Sequence, residues 1–391
     1  MSQTKIFLNT NEELRILEGH SWVFSNEVSK IEGPVESGEI VDVYSANSLF
    51  LGKGFLNTFS KIFVRIISRK DIIIDRKYFK NAINDANKRR IEMGYVDHYR
   101  VLFAEADFVP GFIVDKYGDY LSIQILSLGI EKRKQMFIEL LVELFSPVGI
   151  YERSDVPVRT KEGLELFKGV VYGVVPDEVR IHELDIEFDV DLKNGQKTGT
   201  FLDQYHNHLL IRDFVKDKEV LDCFSHIGQF ALHAKKVGAA YVEAVDISNP
   251  ACLQIKKNAY INRLDICVTQ ANVFDLLRQY NSESKKFDVI VLDPPAFTKT
   301  ISKLDNAYRG YKEINLQAMK LLRNGGILIT ASCSHYMTPS LFFEMLIDAK
   351  NDALKMIQMV DFRIQASDHP TLLGSEETLY LKLAVLRVFS L

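Results

Sequence analysis

The sequence predicts an α/β chain of two or three domains. A doubly wound, largely parallel sheet ends it, a small mixed α/β domain precedes that sheet, and a β-barrel opens it. Three observations carry the prediction. From about residue 205, strand-like runs at 220–224, 241–246, 287–293 and 326–332 alternate with helical stretches, the pattern of right-handed βαβ units. Over residues 1–70, short apolar runs alternate with turn signals, among them Ile31-Glu32-Gly33-Pro34, Glu36-Ser37-Gly38-Glu39 and Leu51-Gly52-Lys53-Gly54, which suits a barrel or sandwich. The length of 391 residues exceeds one ordinary domain.

In chain order, the opening segment places Ile40-Val41-Asp42-Val43-Tyr44 and Ile62-Phe63-Val64-Arg65-Ile66-Ile67 as strands, with a helix near 12–18. A helix over 75–93 follows, ended by Gly94. Strands at 111–114 and 120–126 flank the turn Tyr117-Gly118-Asp119, then come a charged helix at 132–145 and a strand near 150–153. Phe188-Asp189-Val190-Asp191-Leu192 runs into Asn194-Gly195, the favoured two-residue turn, and predicts a hairpin there. Residues 379–389 read as a last strand, antiparallel on the sheet. The resulting division is 1–72, 73–185 and 186–391.

Composition narrows the function classes. Hydrophobic residues at 47% and charged residues at 26% describe a soluble globular chain. No apolar run reaches the roughly 18 residues of a membrane helix. The start, Met1-Ser2-Gln3-Thr4-Lys5, has neither a long apolar core nor a cleavage signal, so a cytoplasmic location is expected. Cys223, Cys252, Cys267 and Cys333 form no C-x-x-C pair, which argues against a metal site and, in such a compartment, against a disulfide. A net charge of -4 excludes a strongly basic coat protein but not a local positive groove. Residues 1–70 hold eight basic and eight acidic residues. The run Lys88-Arg89-Arg90 reads as a solvated helix face, and His206, His208 and His233 as surface or packing residues.

Chemistry in a doubly wound sheet gathers at the carboxyl ends of its strands. Asp222-Cys223-Phe224-Ser225-His226-Ile227-Gly228 follows the first strand with one glycine in place of the three of G-x-G-x-x-G, so a ligand without phosphates fits better than a pyrophosphate. Asp246 ends the next strand, where a carboxylate accepts both ribose hydroxyls; alone, it reads equally as a helix N-cap. Asp293-Pro294-Pro295-Ala296-Phe297 makes a rigid turn whose prolines remove two backbone donors, and can serve as a platform for a flat base. Ser332-Cys333-Ser334 follows the next strand. Its thiol is either packing material or, with a lowered pKa, a nucleophile for an aromatic base. His335 is a candidate for tuning that thiol.

At these residues the chain resembles a class I S-adenosylmethionine-dependent methyltransferase, and more narrowly the ribosomal RNA large-subunit methyltransferase I family, which makes 5-methylcytosine in 23S rRNA. Gly19-His20-Ser21-Trp22-Val23-Phe24-Ser25 resembles the opening of that family's PUA domain, an RNA-binding β-barrel. Arg153-Ser154-Asp155 with Lys161-Glu162-Gly163 resembles its central domain. Gly195-Gln196-Lys197-Thr198-Gly199 with Phe201-Leu202-Asp203-Gln204 is similar to its hairpin, and Asp368-His369-Pro370 completes the match. The resemblance implies S-adenosyl-L-methionine as cofactor, with Asp222, Phe224 and Gly228 on its methionine side and Asp246 and Ile247 at the ribose. Asn272 and Val273, followed by Phe274, fall at the adenine, and Asp293 and Phe201 nearby. It makes Cys333 and Asp293 catalytic and puts Pro294, Pro295, Phe297 and Gln204 against the substrate. It implies an RNA partner and rRNA processing, without membrane or metal, and leaves a homodimer open. The chain departs from the family in carrying Asp222 for Asn, His226-Ile227 for Tyr-Thr and Asn272 for Asp. Asparagine can still accept from an amine through its carbonyl oxygen.

Methylating carbon 5 of cytosine needs activation, because that carbon is a poor nucleophile. Thiolate addition at carbon 6 supplies it, with Asp293 acting at ring nitrogen 3. Some such enzymes carry a second cysteine after the Pro-Pro turn, where this chain has Ala296. Two other functions compete: a same-fold enzyme acting on a base nitrogen, adenine N6 or guanine N7, and a noncatalytic RNA-binding assembly factor.

Overall fold

The computed structural model describes residues 4–298 and 300–391; the reading of Met1-Ser2-Gln3 lies outside the described residues. The chain forms two compact, interleaved units. Residues 1–181, 190–202 and 367–378 make the first; residues 182–189, 203–366 and 379–391 make the second.

The first unit begins with β1 (Lys5–Leu8), α1 (Glu13–Leu17), β2 (Trp22–Phe24), β3 (Val28–Glu32), β4 (Ile40–Tyr44), β5 (Phe50–Leu56) and β6 (Ile62–Ser68). These strands form one sheet in the order β2-β6-β5-β4-β1-β3, with Ile6, Leu8, Val23, Val41, Val43 and Val64 in its core. The unit continues with α2 (Arg76–Glu92), β7 (His98–Phe103), β8 (Phe112–Tyr117), β9 (Tyr120–Ile125), α3 (Leu128–Glu131), α4 (Lys134–Phe145), β10 (Gly149–Ser154) and β11 (Phe167–Gly173). Here the strands form a five-stranded sheet, β11-β10-β9-β8-β7. Asp75 caps α2 by accepting the Tyr78 N–H.

Two expectations change. Arg90 is not on a solvated face: it is 2% exposed. Its guanidinium grips Asp107 with both ends, at 2.7 and 2.6 Å, and donates to the carbonyls of Arg100 (3.0 Å) and Asp368 (2.8 Å). Such a fork of donors meeting a carboxylate is what makes arginine tolerable in an interior. Asp107→Asn should therefore leave a buried cation without its counter-ion and cost about 3 kcal/mol, read as a lowered melting temperature.

The hairpin also turns elsewhere. The strands that pair are β12 (Val179–Glu183) and β13 (Ile186–Val190), joined across Leu184-Asp185. Asn194-Gly195 leads only to an isolated bridge between Gln196 and Gly199. The reason is local: Asp191 Oδ1 accepts the N–H groups of Lys193 and Asn194, both at 2.8 Å, so a side-chain-capped turn replaces the hairpin turn.

The second unit contains α5 (Tyr205–Leu210), β14 (Glu219–Cys223), α6 (Gln229–Lys236), β15 (Tyr241–Asp246), α7 (Asn249–Ile261), β16 (Cys267–Gln270), α8 (Val273–Ser282), β17 (Phe287–Leu292), α9 (Leu304–Leu321), β18 (Leu322–Ser332), α10 (Pro339–Asp352), β19 (Lys355–Arg363) and β20 (Lys382–Ser390). Its seven-stranded sheet runs β16-β15-β14-β17-β18-β20-β19. Parallel pairing holds from β16 to β18, while β20 is antiparallel to both its neighbours. Leu221, Val245, Ile290 and Leu328 from the central strands are buried against Tyr311, Ile314 and Phe342 from the helices. His208 and His233 pack inside beside Glu183, at 3.3 and 3.0 Å, and Gln229 donates to the same carboxylate at 2.6 Å. Among the described residues no helix is long and apolar enough to cross a membrane, and no group of three His, Cys, Asp or Glu could hold a metal.

Candidate active site

The strand order of the second unit reverses between β14 and β17, and a doubly wound sheet binds its ligand at such a point. β14 and β17 deliver Asp222 and Asp293 there, and the neighbouring β15 delivers Asp246. Asp222 is 1% exposed. Its Oδ2 accepts the Ala231 N–H at 3.2 Å, and its Oδ1 has no hydrogen-bond partner among the described residues. Burial, reinforced by the charges of Asp293 and Asp246, pushes this carboxyl up to about 7.

Beyond β14 the backbone passes through the left-handed region at Phe224 (φ 63°), His226 (φ 53°) and Gly228 (φ 88°). A Cβ on Gly228 would stand 2.7 Å from Leu232 Cδ1 and 3.1 Å from Ile255 Cγ2. Glycine is therefore required for the loop to run this close to α6 and α7. Asp246 braces the loop: its Oδ2 accepts the His226 N–H at 3.0 Å and its Oδ1 the Ser248 N–H at 2.8 Å. Ser248, not Asp246, caps α7. Ile247 is exposed beside it.

The other candidates divide between contact and support. Asn272 is exposed and caps α8, accepting the Phe274 N–H at 2.9 Å, whereas Val273 is buried in the core. Asp293 Oδ1 accepts from Gln204 Nε2 at 2.9 Å, and Gln204 Oε1 in turn accepts from Asn207 at 2.7 Å. Gln204 thus orients the aspartate. Pro294 is buried and Pro295 exposed. Phe297 lies between the rings of Phe274 and Tyr311, with centroids 5.8 and 4.5 Å away. Phe201 belongs to the first unit, where Lys197 Nζ lies 4.7 Å from its ring centre.

The four cysteines separate by surroundings. Cys223 and Cys252 are buried, and burial pushes both thiols up. Cys267 is exposed on β16 at the edge of the sheet. Cys333 is half-buried just past β18, with Sγ 3.9 Å from the carbonyl oxygen of Pro294. Strand pairing of β17 with β18 thus brings the thiol and the Asp-Pro-Pro turn together. The sequence reading overlooked Lys382, which is 1% exposed and donates to the carbonyls of Ser334 (2.7 Å) and Tyr380 (2.8 Å). The signal in the sequence was a lysine between Leu381 and Leu383, at the head of the apolar run Leu383-Ala384-Val385-Leu386.

Three carboxylates at three neighbouring strand ends suit a ligand that carries positive charge, and among the described residues no cation acts on Asp222. A sulfonium-containing amino acid nucleoside fits this donor set; a pyrophosphate does not.

Comparison with known proteins agrees. Residues 6–69 match the family model of a PUA-like domain, and residues 171–370 that of an S-adenosylmethionine-dependent methyltransferase. The chain is 42% identical over 386 residues to the ribosomal RNA large subunit methyltransferase I of Vibrio cholerae, covering 96% of this chain and 97% of that protein. Among solved structures, a putative SAM-dependent methyltransferase from Streptococcus mutans has a TM-score of 0.83 at 21% identity, covering 98% of this chain and 99% of its own. A putative methyltransferase complexed with SAH has a TM-score of 0.84 at the same identity and the same coverage of both chains. A PUA-like start, a sheet whose strand ends suit a sulfonium donor, and near full-length kinship place the chain in the ribosomal RNA large subunit methyltransferase I family, as an S-adenosylmethionine-dependent methyltransferase.

Proposed function

We propose that this chain methylates carbon 5 of a cytosine in large-subunit (23S) ribosomal RNA, with Cys333 as the nucleophile. The observation that carries the reading is the half-buried Cys333 sulfur 3.9 Å from the Pro294 carbonyl, beside Asp293. Residues 1–72 act as the PUA-like RNA-binding segment, 73–185 as a central domain and 186–391 as the catalytic segment. Lys53 and Arg65 of the first segment are buried against acidic partners, so shape contributes to RNA recognition there beside charge.

Bound S-adenosylmethionine supplies an electrophilic methyl group. Asp222 and Asp246, with the Phe224–Gly228 loop and Ile247, would hold its methionine and ribose ends, and Asn272 and Val273 would border the base. The Cys333 thiolate adds to carbon 6 of an unstacked cytosine, which loads carbon 5 with the electron density that alkylation needs. Asp293, oriented by Gln204, hydrogen-bonds at ring nitrogen 3 and stabilises the charge that develops. Pro294 and Pro295 form the wall against which the base lies, and Phe297 backs it. Loss of the carbon-5 proton and elimination of the thiolate then restore the aromatic ring. Residue 296, an alanine, takes no part in that proton removal.

Incubation with S-adenosylmethionine and RNA containing 5-fluorocytosine tests this directly. Fluorine cannot leave carbon 5 as a proton, so an RNA–protein adduct should survive denaturation and map to Cys333. Efficient methylation of the unmodified RNA, with no adduct to its fluorinated counterpart, would falsify the nucleophile assignment.

A further inference from the structure

Lys382 is a buried lysine with no carboxylate against it among the described residues. Both hydrogen bonds of its Nζ go to backbone carbonyls, of Ser334 and Tyr380. The first of these belongs to the residue that follows Cys333, and in the sheet Lys382 is the cross-strand partner of Ser332, which precedes it. A buried ammonium ordinarily sits against an anion. Among the described residues, Cys333 is the one acidic group that acts on it, favouring its charged form against a burial that pulls it down to about 8. Resting on the nucleophile reading above, we propose that Lys382 is a positioning residue whose ammonium holds the Cys333 sulfur as a thiolate.

The chemistry balances simply. The Sγ–H bond breaks, its proton passes to solvent, and the thiolate left behind faces a cation already fixed by two carbonyls. The third N–H of the ammonium remains for the sulfur or for the substrate. Three other ionisable groups near Cys333 do not supply this charge. Tyr311 from α9 is kept neutral by burial and by the Cys333 charge. Asp293 at the end of β17 is an acid, whose ionised form opposes thiolate formation. His335 is exposed, with its ring against Tyr336.

The test is the pH dependence of iodoacetamide alkylation at Cys333, followed by mass spectrometry of the peptide that carries it so that Cys267 does not interfere. Wild-type protein should alkylate with a midpoint below the ~8.5 of a free thiol. K382M should raise that midpoint by about one unit or more and lower methylation at pH 7 about tenfold, with recovery towards pH 9. K382R should keep the wild-type midpoint. A wild-type midpoint at or above ~8.5 overturns the proposal without any variant. So does an unchanged midpoint in a K382M protein that still melts cooperatively and binds S-adenosylmethionine. Should Cys333→Ala retain methylation while K382M still shifts the midpoint, the ion pair stands and the nucleophile reading alone falls.

Discussion

Cys333→Ala is expected to lower methyl transfer by at least ~10⁴-fold, because losing a nucleophile removes the route rather than weakening it. S-adenosylmethionine binding should hardly change, since the donor set at the ends of β14 and β15 does not include this sulfur. Stability should also hold: the side chain is half-buried and its approach to the Pro294 carbonyl is a long sulfur–oxygen contact of 3.9 Å. Calorimetry of cofactor binding and a methylation assay with tritiated donor separate the two effects. Survival of most of the activity would point to attack by a base nitrogen, the chemistry for which an Asp-Pro-Pro-x-Phe turn needs no thiol. Failure of the wild-type protein to bind the cofactor would instead favour a noncatalytic assembly factor.

Asp222→Asn should act through pH. In the ligand-free protein burial holds this carboxyl up to about 7, against 3.8 ordinarily. The folded state therefore binds more protons here than the unfolded chain between those values, and stability falls as pH rises from about 4 to about 7. Above 7 the full penalty stands; below 4 it vanishes. Three pKa units correspond to at most about 4 kcal/mol. The asparagine variant, without cofactor, should be more stable than the wild type at pH 8 by up to that amount and equal to it near pH 4. Cofactor binding should move the other way. A ligand with ammonium and sulfonium charges prefers the ionised carboxylate, so wild-type affinity should climb up to tenfold per unit towards pH 7, while the variant stays flat. Melting curves at both pH values and calorimetry at pH 6 and 8 decide it. Parallel pH profiles for the two proteins would show that Asp222 is not the titrating group.

Much of the catalytic sheet was legible because its central strands are buried on both faces and read as unbroken apolar runs. β16 and β19 escaped notice for the opposite reason. They are edge strands, largely exposed, and Cys267–Gln270 or Lys355–Arg363 carries no periodic signal of burial. The candidate site residues on strand ends can be nominated by position alone. Those that orient them could not: Gln204 reaches Asp293 from 89 residues away, and Arg90 meets Asp368 across 278. Such pairings are tertiary facts, invisible to local pattern. The Asn194-Gly195 turn misled because Asp191, three residues before Asn194, takes the local backbone donors first.

The interleaving of the two units bears on the birth of the protein. Residues 367–378 belong with the opening 181, and Asp368 supplies both a carbonyl to Arg90 and a carboxylate to the Arg100 N–H at 2.8 Å. A nascent chain emerging from the ribosome can form its opening sheet early. It cannot close this buried arginine cluster until translation has passed residue 368. A copy cut short before residue 368 would thus lack the Asp368 carbonyl that the Arg90 guanidinium binds, although every residue of its leading sheet is in place.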